Sequence, residues 1–285
     1  MGKYLFFDID GTLTGRSRRI TEGTKRAVHR AKENGHRIFV CTGRVPASIV
    51  GDVTELEIDG VISGAGSFVD IGGRYIFEHY MDTRMTEQVM ELFQKNGLHF
   101  TVECRDVIYQ TPGAWKFFRE KRREDMEHNP ELMRYREQLE RKERLRPIEF
   151  FDIVKDKAAK MCFVAETKPQ IEACIPFLEK DFNIVFFSKE ENTYVNGEVI
   201  LKDCTKGDGI KKVMEYLQGD MDDTIGFGDS MNDYQMLETV HTGVAFENGP
   251  KEIKELAQYY FKEPDEDGIC QVMKTLGLID HIEEK

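Results

Sequence analysis

The chain has 285 residues, of which 40% are apolar and 32% charged; this describes a folded globular protein of one large or two smaller domains and excludes a disordered one. Its formal charge of −12 argues against non-specific nucleic-acid binding, which relies on Lys and Arg to neutralise phosphates. The sequence holds no run of about 18 apolar residues, so no membrane span is expected, and the first strand begins so early that no signal peptide is expected.

Strand and helix signals alternate from the start. Lys3 to Phe7 reads as a buried strand. Thr21 to Asn34 reads as a helix with Thr21 as N-cap and Gly35 as its stop. His36 to Cys41 is a second strand, Pro46 opens a short helix, and Gly60 to Ser63 is a third strand. Gly72-Gly73 joins Phe68–Ile71 to Arg74–Phe77 as a hairpin.

The character changes near Met81. A helix over Thr83 to Asn96 is followed by β-like segments at His99 to Glu103 and Val107 to Thr111. Trp115 to Arg146 reads as a polar helical stretch broken at Asn129-Pro130, with charges of mixed sign. Ala159 to Val164 is a strand, Gln170 to Lys180 a helix and Ile184 to Phe187 a strand.

The opening alternation then resumes. Helices are expected over Gly207 to Leu217, Asn232 to Thr239, Pro250 to Tyr259 and Gly268 to Leu276, with strands at Thr224 to Phe227 and Gly243 to Phe246. The fold class is therefore α/β, a parallel sheet covered by helices. Its core is expected in two segments, residues 1–82 and 189–285, split by an inserted domain at 83–188.

Four places at strand ends or helix starts carry candidate chemistry, and ligands of open α/β sheets bind at the carboxyl ends of strands. The first is Asp8-Ile9-Asp10-Gly11-Thr12. Two carboxylates this close repel unless a cation or proton intervenes, and Mg2+ suits such a pair with phosphate oxygens. Asp8 can then attack phosphorus while Asp10 protonates the leaving oxygen and later deprotonates water. Backbone N–H groups around Gly11 and Thr12 can cradle the phosphoryl oxygens. A turn with an Asp cap is the lesser alternative for the pair taken alone.

The second place is Thr42-Gly43-Arg44, where a hydroxyl, an open backbone and a guanidinium suit a phosphate, although a plain N-cap also explains Thr42. The third is Lys206, whose charge at a helix start works against the helix dipole and suits neutralisation of Asp8 and a transferring phosphoryl group. The fourth is Gly228-Asp229-Ser230-Met231-Asn232-Asp233, with Asp229 placed as a metal ligand and Asn232 and Asp233 in the first helical turn. The six cysteines (Cys41, Cys104, Cys162, Cys174, Cys204 and Cys270) are scattered. They read as reduced thiols of a cytoplasmic protein, and closely spaced zinc-ligand pairs are not visible.

Taken in order, these four motifs resemble those of the haloacid dehalogenase-like phosphatases. The long insertion, Val244-Ala245-Phe246-Glu247-Asn248 and Glu266-Asp267-Gly268-Ile269 resemble the Cof-type subgroup with a large α/β cap. The resemblance implies a Rossmann-like, doubly wound core and Mg2+-dependent hydrolysis of a small phosphorylated metabolite, with a cap that closes to exclude water. It makes Asp8 the nucleophile and Asp10 the general acid/base. It assigns Mg2+ to Asp8, the backbone carbonyl of Asp10, and Asp229. Thr42 and Lys206 would bind the phosphoryl group, Asn232 would support it, and Asp233 would orient the metal's surroundings. Many relatives carry Asn-Gly after the third strand, whereas this chain has Ser63-Gly64-Ala65-Gly66, with Ala65 at the Asn position. Arg105, Trp115 and Lys116 are candidate rim residues. A sugar-phosphate mutase of the same superfamily is the nearest alternative. A phospho-signalling receiver is remote, since the third strand ends without an Asp, and a non-catalytic phospho-ligand sensor would keep the site without turnover. The substrate and the oligomeric state are not legible.

Overall fold

A computed structural model describes residues 2–120, 144–188 and 193–280. The chain forms two compact units. One comprises the residues up to Gly43, Ile49–Glu78 and the chain from Thr205 onward; the other comprises Arg44–Ser48 and His79–Cys204.

The first unit opens with β1 (Tyr4–Phe7), α1 (Glu22–Glu33), β2 (Arg37–Cys41), β3 (Gly60–Ser63), β4 (Phe68–Ile71) and β5 (Arg74–Glu78). Thr21 caps α1 as expected, its hydroxyl accepting from the Thr24 N–H. The second unit carries α2 (Thr83–Lys95), β6 (His99–Cys104), β7 (Ile108–Gln110), α3 (Pro112–Glu120), β8 (Leu145–Pro147), β9 (Ala158–Ala165), α4 (Lys168–Glu172), α5 (Ile175–Leu178), β10 (Phe182–Phe186) and β11 (Val195–Leu201). The chain returns to the first unit with α6 (Lys206–Leu217), β12 (Thr224–Gly228), α7 (Tyr234–Thr239), β13 (Thr242–Phe246), α8 (Lys251–Leu256), β14 (Tyr259–Phe261) and α9 (Gly268–Thr275).

The first unit's sheet runs β14-β13-β12-β1-β2-β3-β4-β5. It is parallel from β14 to β3 and ends in the antiparallel β3-β4-β5 hairpin ribbon. Alternation along β1 supplies both of its cores. Leu5 and Phe7 join Ile38, Val40, Phe227 and residues of α1 and α9. Phe6 joins Phe39, Ile62, Ile210, Val213 and Met236 on the other face. Helices thus cover both faces, as a doubly wound sheet requires.

Strand register decides which loops meet. Phe7 lies opposite both Val40 and Phe227, so the residues after β1, β2 and β12 emerge at the same edge of the sheet. The Phe7 and Phe227 rings stack with centroids 4.3 Å apart, which holds those two strand ends together.

The second unit's sheet runs β10-β11-β9-β6-β7-β8, antiparallel except for the β7-β8 pair. Phe100, Val102, Met161, Phe163 and Val199 pack with Val89, Phe93, Ile171 and Leu178 in its apolar core. The opposite face carries Thr101, Glu103, Lys160, Cys162, Asn196 and Glu198, all buried. Among the described residues no helix is long and apolar enough to cross a membrane.

Five elements differ from the sequence expectations. The expected helix over Gln170 to Lys180 is two short helices, because Pro176, inside that span, has no N–H to donate to a continuous ladder. The helix expected to reach Tyr259 stops at Leu256, and Tyr259–Phe261 pairs with β13 as the sheet's edge strand. The polar stretch from Trp115 to Arg146 begins within α3, but Leu145–Pro147 is a strand paired with β7. Residues 121–143 of that stretch, with the expected break at Asn129-Pro130, lie outside the described residues. The helix expected from Asn232 begins as a 3-10 turn over Met231–Asp233. Finally, β11 has no counterpart among those expectations. It pairs with β9 and β10, so the second unit extends to Cys204 instead of ending at residue 188.

Candidate active site

The chain leaves β1 at Asp8, whose N–H still donates to the Phe227 carbonyl at 3.0 Å. It then folds into a tight loop. Leu13 N–H donates to the Asp8 carbonyl at 3.2 Å, and Thr14 N–H to the Ile9 carbonyl at 2.9 Å. Gly11 is at φ +93°, and a Cβ there would stand 2.3 Å from Asp229 Oδ2. Only glycine lets this loop lie against the Asp229 carboxylate. Thr12 is fully buried, and its hydroxyl donates to Asp229 Oδ1 at 3.1 Å. The two distant motifs are therefore joined by a side-chain bond as well as by strand register.

Lys206 is the first residue of α6, whose N-cap Thr205 accepts from the Asp208 N–H at 3.1 Å. Its side chain is buried and turns away from the helix. Nζ lies 2.5 Å from Asp8 Oδ1, also donates to Asp233 Oδ1, and stands 3.5 Å from Asn232 Oδ1. The unfavourable placement of a cation at a helix start is thus offset by two buried carboxylates. Asp233 Oδ2 accepts from the N–H groups of Asp229 and Ser230, at 3.0 and 3.2 Å. Asp233 consequently holds Lys206 with one oxygen and the backbone of the Asp229 loop with the other.

One oxygen from each of Asp8, Asp229 and Asp233 lies within 4.8 Å of the others. Against these three carboxylates stands one ammonium, which leaves an excess of two negative charges if all are ionised. Burial pushes Asp8 up to about 7, and Asp233 and Asp10 add to the shift while Lys206 opposes it. Asp229 keeps a partly exposed edge, yet desolvation by the surrounding protein, then Asp233 and Asp8, raise it well above the ordinary carboxylate range. Burial works against the charge of Lys206 but is outweighed by Asp233 and Asp8, so its net shift is upward. An all-oxygen donor set with an excess of two negative charges fits Mg2+, a hard divalent cation. Asp8 and Asp229 would hold it, with Asp233 committed to Lys206 and the backbone.

The remaining candidates divide. Asp10 is half-buried in the same loop, bridged to Thr14. Thr42 is buried at the end of β2, where its N–H donates to Ile62 and its carbonyl accepts from Ala65. Gly43 follows it, also buried. Arg44 groups instead with the second unit, where it is buried and Nη1 donates to the Ser48 carbonyl at 3.4 Å. Arg105 pairs with its neighbour Asp106 at 2.8 Å, Trp115 is half-buried on α3, and Lys116 is exposed. Ala65 has φ +56° and ψ 29°, the left-handed conformation that Asn adopts more readily than Ala. The backbone at this position thus has a conformation that suits Asn, here without the Asn side chain. The Thr12–Asp229 bond and the grip of Asp233 on Lys206 are not among the sequence expectations. The capping spacing of Ser230 and Asp233 is the available signal for the second.

Residues 5–273 match the family described as haloacid dehalogenase-like hydrolase. A putative phosphatase of Bacillus subtilis, YkrA, is 29% identical over 97% of this chain and 98% of its own length. The 5-amino-6-(5-phospho-D-ribitylamino)uracil phosphatase YwtE of the same organism is 23% identical over 96% and 98%. Among solved structures, a haloacid dehalogenase-like hydrolase from B. subtilis superposes with a TM-score of 0.80 at 22% identity, covering 96% of this chain and 99% of that one. The sugar phosphatase BT4131 superposes with a TM-score of 0.76 at 24% identity, covering 97% and 100%.

Proposed function

The chain belongs to the haloacid dehalogenase-like hydrolases and is a phosphatase, and we propose that it hydrolyses a small phosphorylated metabolite, a sugar phosphate or similar, with Mg2+ and through an aspartyl-phosphate on Asp8. The observation that carries this reading is the convergence of Lys206 on Asp8 and Asp233 beside Asp229, built from three chain segments at one edge of the sheet.

In this reading an Asp8 carboxylate oxygen forms a bond to phosphorus as the bond to the leaving oxygen breaks. Asp10 gives that oxygen its proton. Asp10 then takes a proton from water, whose oxygen attacks phosphorus, releasing inorganic phosphate and restoring Asp8. Lys206 opposes the upward pull of burial on Asp8 and faces the charge on the phosphoryl oxygens. Backbone N–H groups of the Gly11–Thr12 loop, Thr42 and Asn232 orient the group. Gly43 leaves room for it. Bound Mg2+ supplies the positive charge that lets two carboxylates and a phosphate share one site. The names of YwtE and BT4131 support a phosphorylated sugar or sugar-like substrate.

A panel of sugar phosphates, nucleotides, FMN and pyridoxal phosphate, assayed for inorganic phosphate with Mg2+, tests the reading. Turnover should require Mg2+, stop with EDTA and fall by about 10³-fold or more in Asp8→Asn while the fold persists. Full activity in Asp8→Asn would remove Asp8 as nucleophile, and an isomerised phosphate ester in place of free phosphate would mean a mutase.

A further inference from the structure

We propose that His79, Asp203 and Cys204 form a second metal site, which takes one thiophilic divalent cation of the Zn2+ class. A ring nitrogen, a carboxylate oxygen and a sulfur from these residues lie within 4.8 Å of one another. His79 Nε2 stands 3.2 Å from Asp203 Oδ2. Cys204 is buried and in no disulfide, whereas Asp203 is 70% and His79 36% exposed. An ion can therefore arrive from solvent past these two side chains and meet the sulfur beneath them.

Both ligand segments are anchored on the second unit's own sheet. His79 directly follows β5, and two residues later the Met81 N–H donates to the Ala158 carbonyl at 2.8 Å. Asp203 and Cys204 occupy the turn after β11, closed by the Cys204 N–H on the Leu201 carbonyl at 3.2 Å. His79 begins the long segment of this unit and Cys204 ends it, so the ion would fasten the unit's entry to its exit.

The donor chemistry separates this site from the one at Asp8. Mg2+ prefers oxygen throughout, while thiolate and imidazole select Zn2+ and its neighbours. Zinc ligands stand about 2.0–2.3 Å from the ion, so His79 and Asp203 must rotate inward, which their exposure allows. On binding, the Cys204 S–H bond breaks, a sulfur–metal bond forms and the proton passes to solvent. Water completes a tetrahedral set of three protein ligands. None of this depends on the phosphatase reading.

The test uses the full chain, stripped with chelator, reduced, and held in excess Mg2+ to occupy the Asp8 cluster. Titration with Co2+ should produce a thiolate-to-cobalt charge-transfer absorption that saturates at one equivalent and is bleached by Zn2+. Cys204→Ser should lack it. His79→Ala and Asp203→Asn alter solvent-facing groups and should weaken Co2+ binding about tenfold or more, since even residues that merely support a ligand cost about 10–100-fold. If Cys204→Ser does not fold, those two variants decide. Absence of the absorption in the wild-type chain, its persistence in folded Cys204→Ser, or unchanged Co2+ affinity in both other variants overturns the proposal.

Discussion

Lys206 in the first unit and Lys160 in the second are each buried between two carboxylates. Lys206 meets Asp8 and Asp233. Lys160 pairs with Glu198 and lies 3.5 Å from Glu103, whose other oxygen accepts from the Cys162 thiol at 3.1 Å. The two clusters differ in where the fold puts them. The Lys206 cluster forms where three parallel strands end, beside a helix start and a loop whose backbone N–H groups are directed at Asp233. The Lys160 cluster lies within the paired strands β6, β9 and β11, where the backbone groups are already used in the ladder. Strand ends leave donors and space for a substrate; positions within paired strands leave only side chains to satisfy one another. A buried lysine flanked by carboxylates is therefore not by itself a mark of catalysis, and its position on the sheet decides.

Perturbing each lysine separates the two cases. Lys160→Met strands two carboxylates on a buried sheet face and should cost about 3–5 kcal/mol of stability, read from the denaturant midpoint. Replacing Lys160, Glu103 and Glu198 together with apolar residues of similar size should recover most of that loss. An unchanged midpoint in Lys160→Met would mean that the cluster contributes nothing to stability. Lys206→Met, by contrast, should lower kcat by about 10²–10³-fold with Mg2+ saturating, the range for losing one preorganised donor. A drop confined to KM would assign Lys206 to binding alone.

The pH dependence of stability sharpens the comparison. Asp8 releases its proton near 3.8 when unfolded but is raised to about 7 when folded, first by burial. Between those values the folded chain holds more protons, so this contribution is full below 3.8 and is lost as pH rises to about 7. The metal-free protein should accordingly lose Tm across that range, and added Mg2+ should raise Tm more at pH 8 than at pH 5. Equal Mg2+ shifts at the two pH values would detach the ion from Asp8. The smallest effect belongs to Ala65, whose left-handed backbone costs a non-glycine residue about 1 kcal/mol. Ala65→Asn should raise Tm by about 2 °C, and a lowered Tm would show that the buried surroundings reject the longer side chain.

Much of the first unit was legible because its chemistry follows strand ends. Asp8, Thr42 and Asp229 each come directly after an apolar run, and a parallel sheet brings such positions to one edge. The second unit resisted for physical reasons. Pro176 divides what periodicity reads as one helix. Val195–Leu201, interrupted by Gly197, carries little pattern of its own until β9 and β10 pair with it on both sides. The first unit has one such case as well, since Tyr259–Phe261 is strand-like only because β13 lies beside it.

The sequence by itself determined the α/β class, the order of the motifs and the residue types of the candidate site, since hydrophobic periodicity and local spacing are properties of neighbours along the chain. Only the tertiary structure decided which distant groups share a charge. It set Lys206 between Asp8 and Asp233, joined Thr12 to Asp229, moved Arg44 to Ser48, and brought His79 to Asp203 and Cys204. Those pairings depend on strand register and on burial, which acts through space and has no signature in the spacing of residues along the chain.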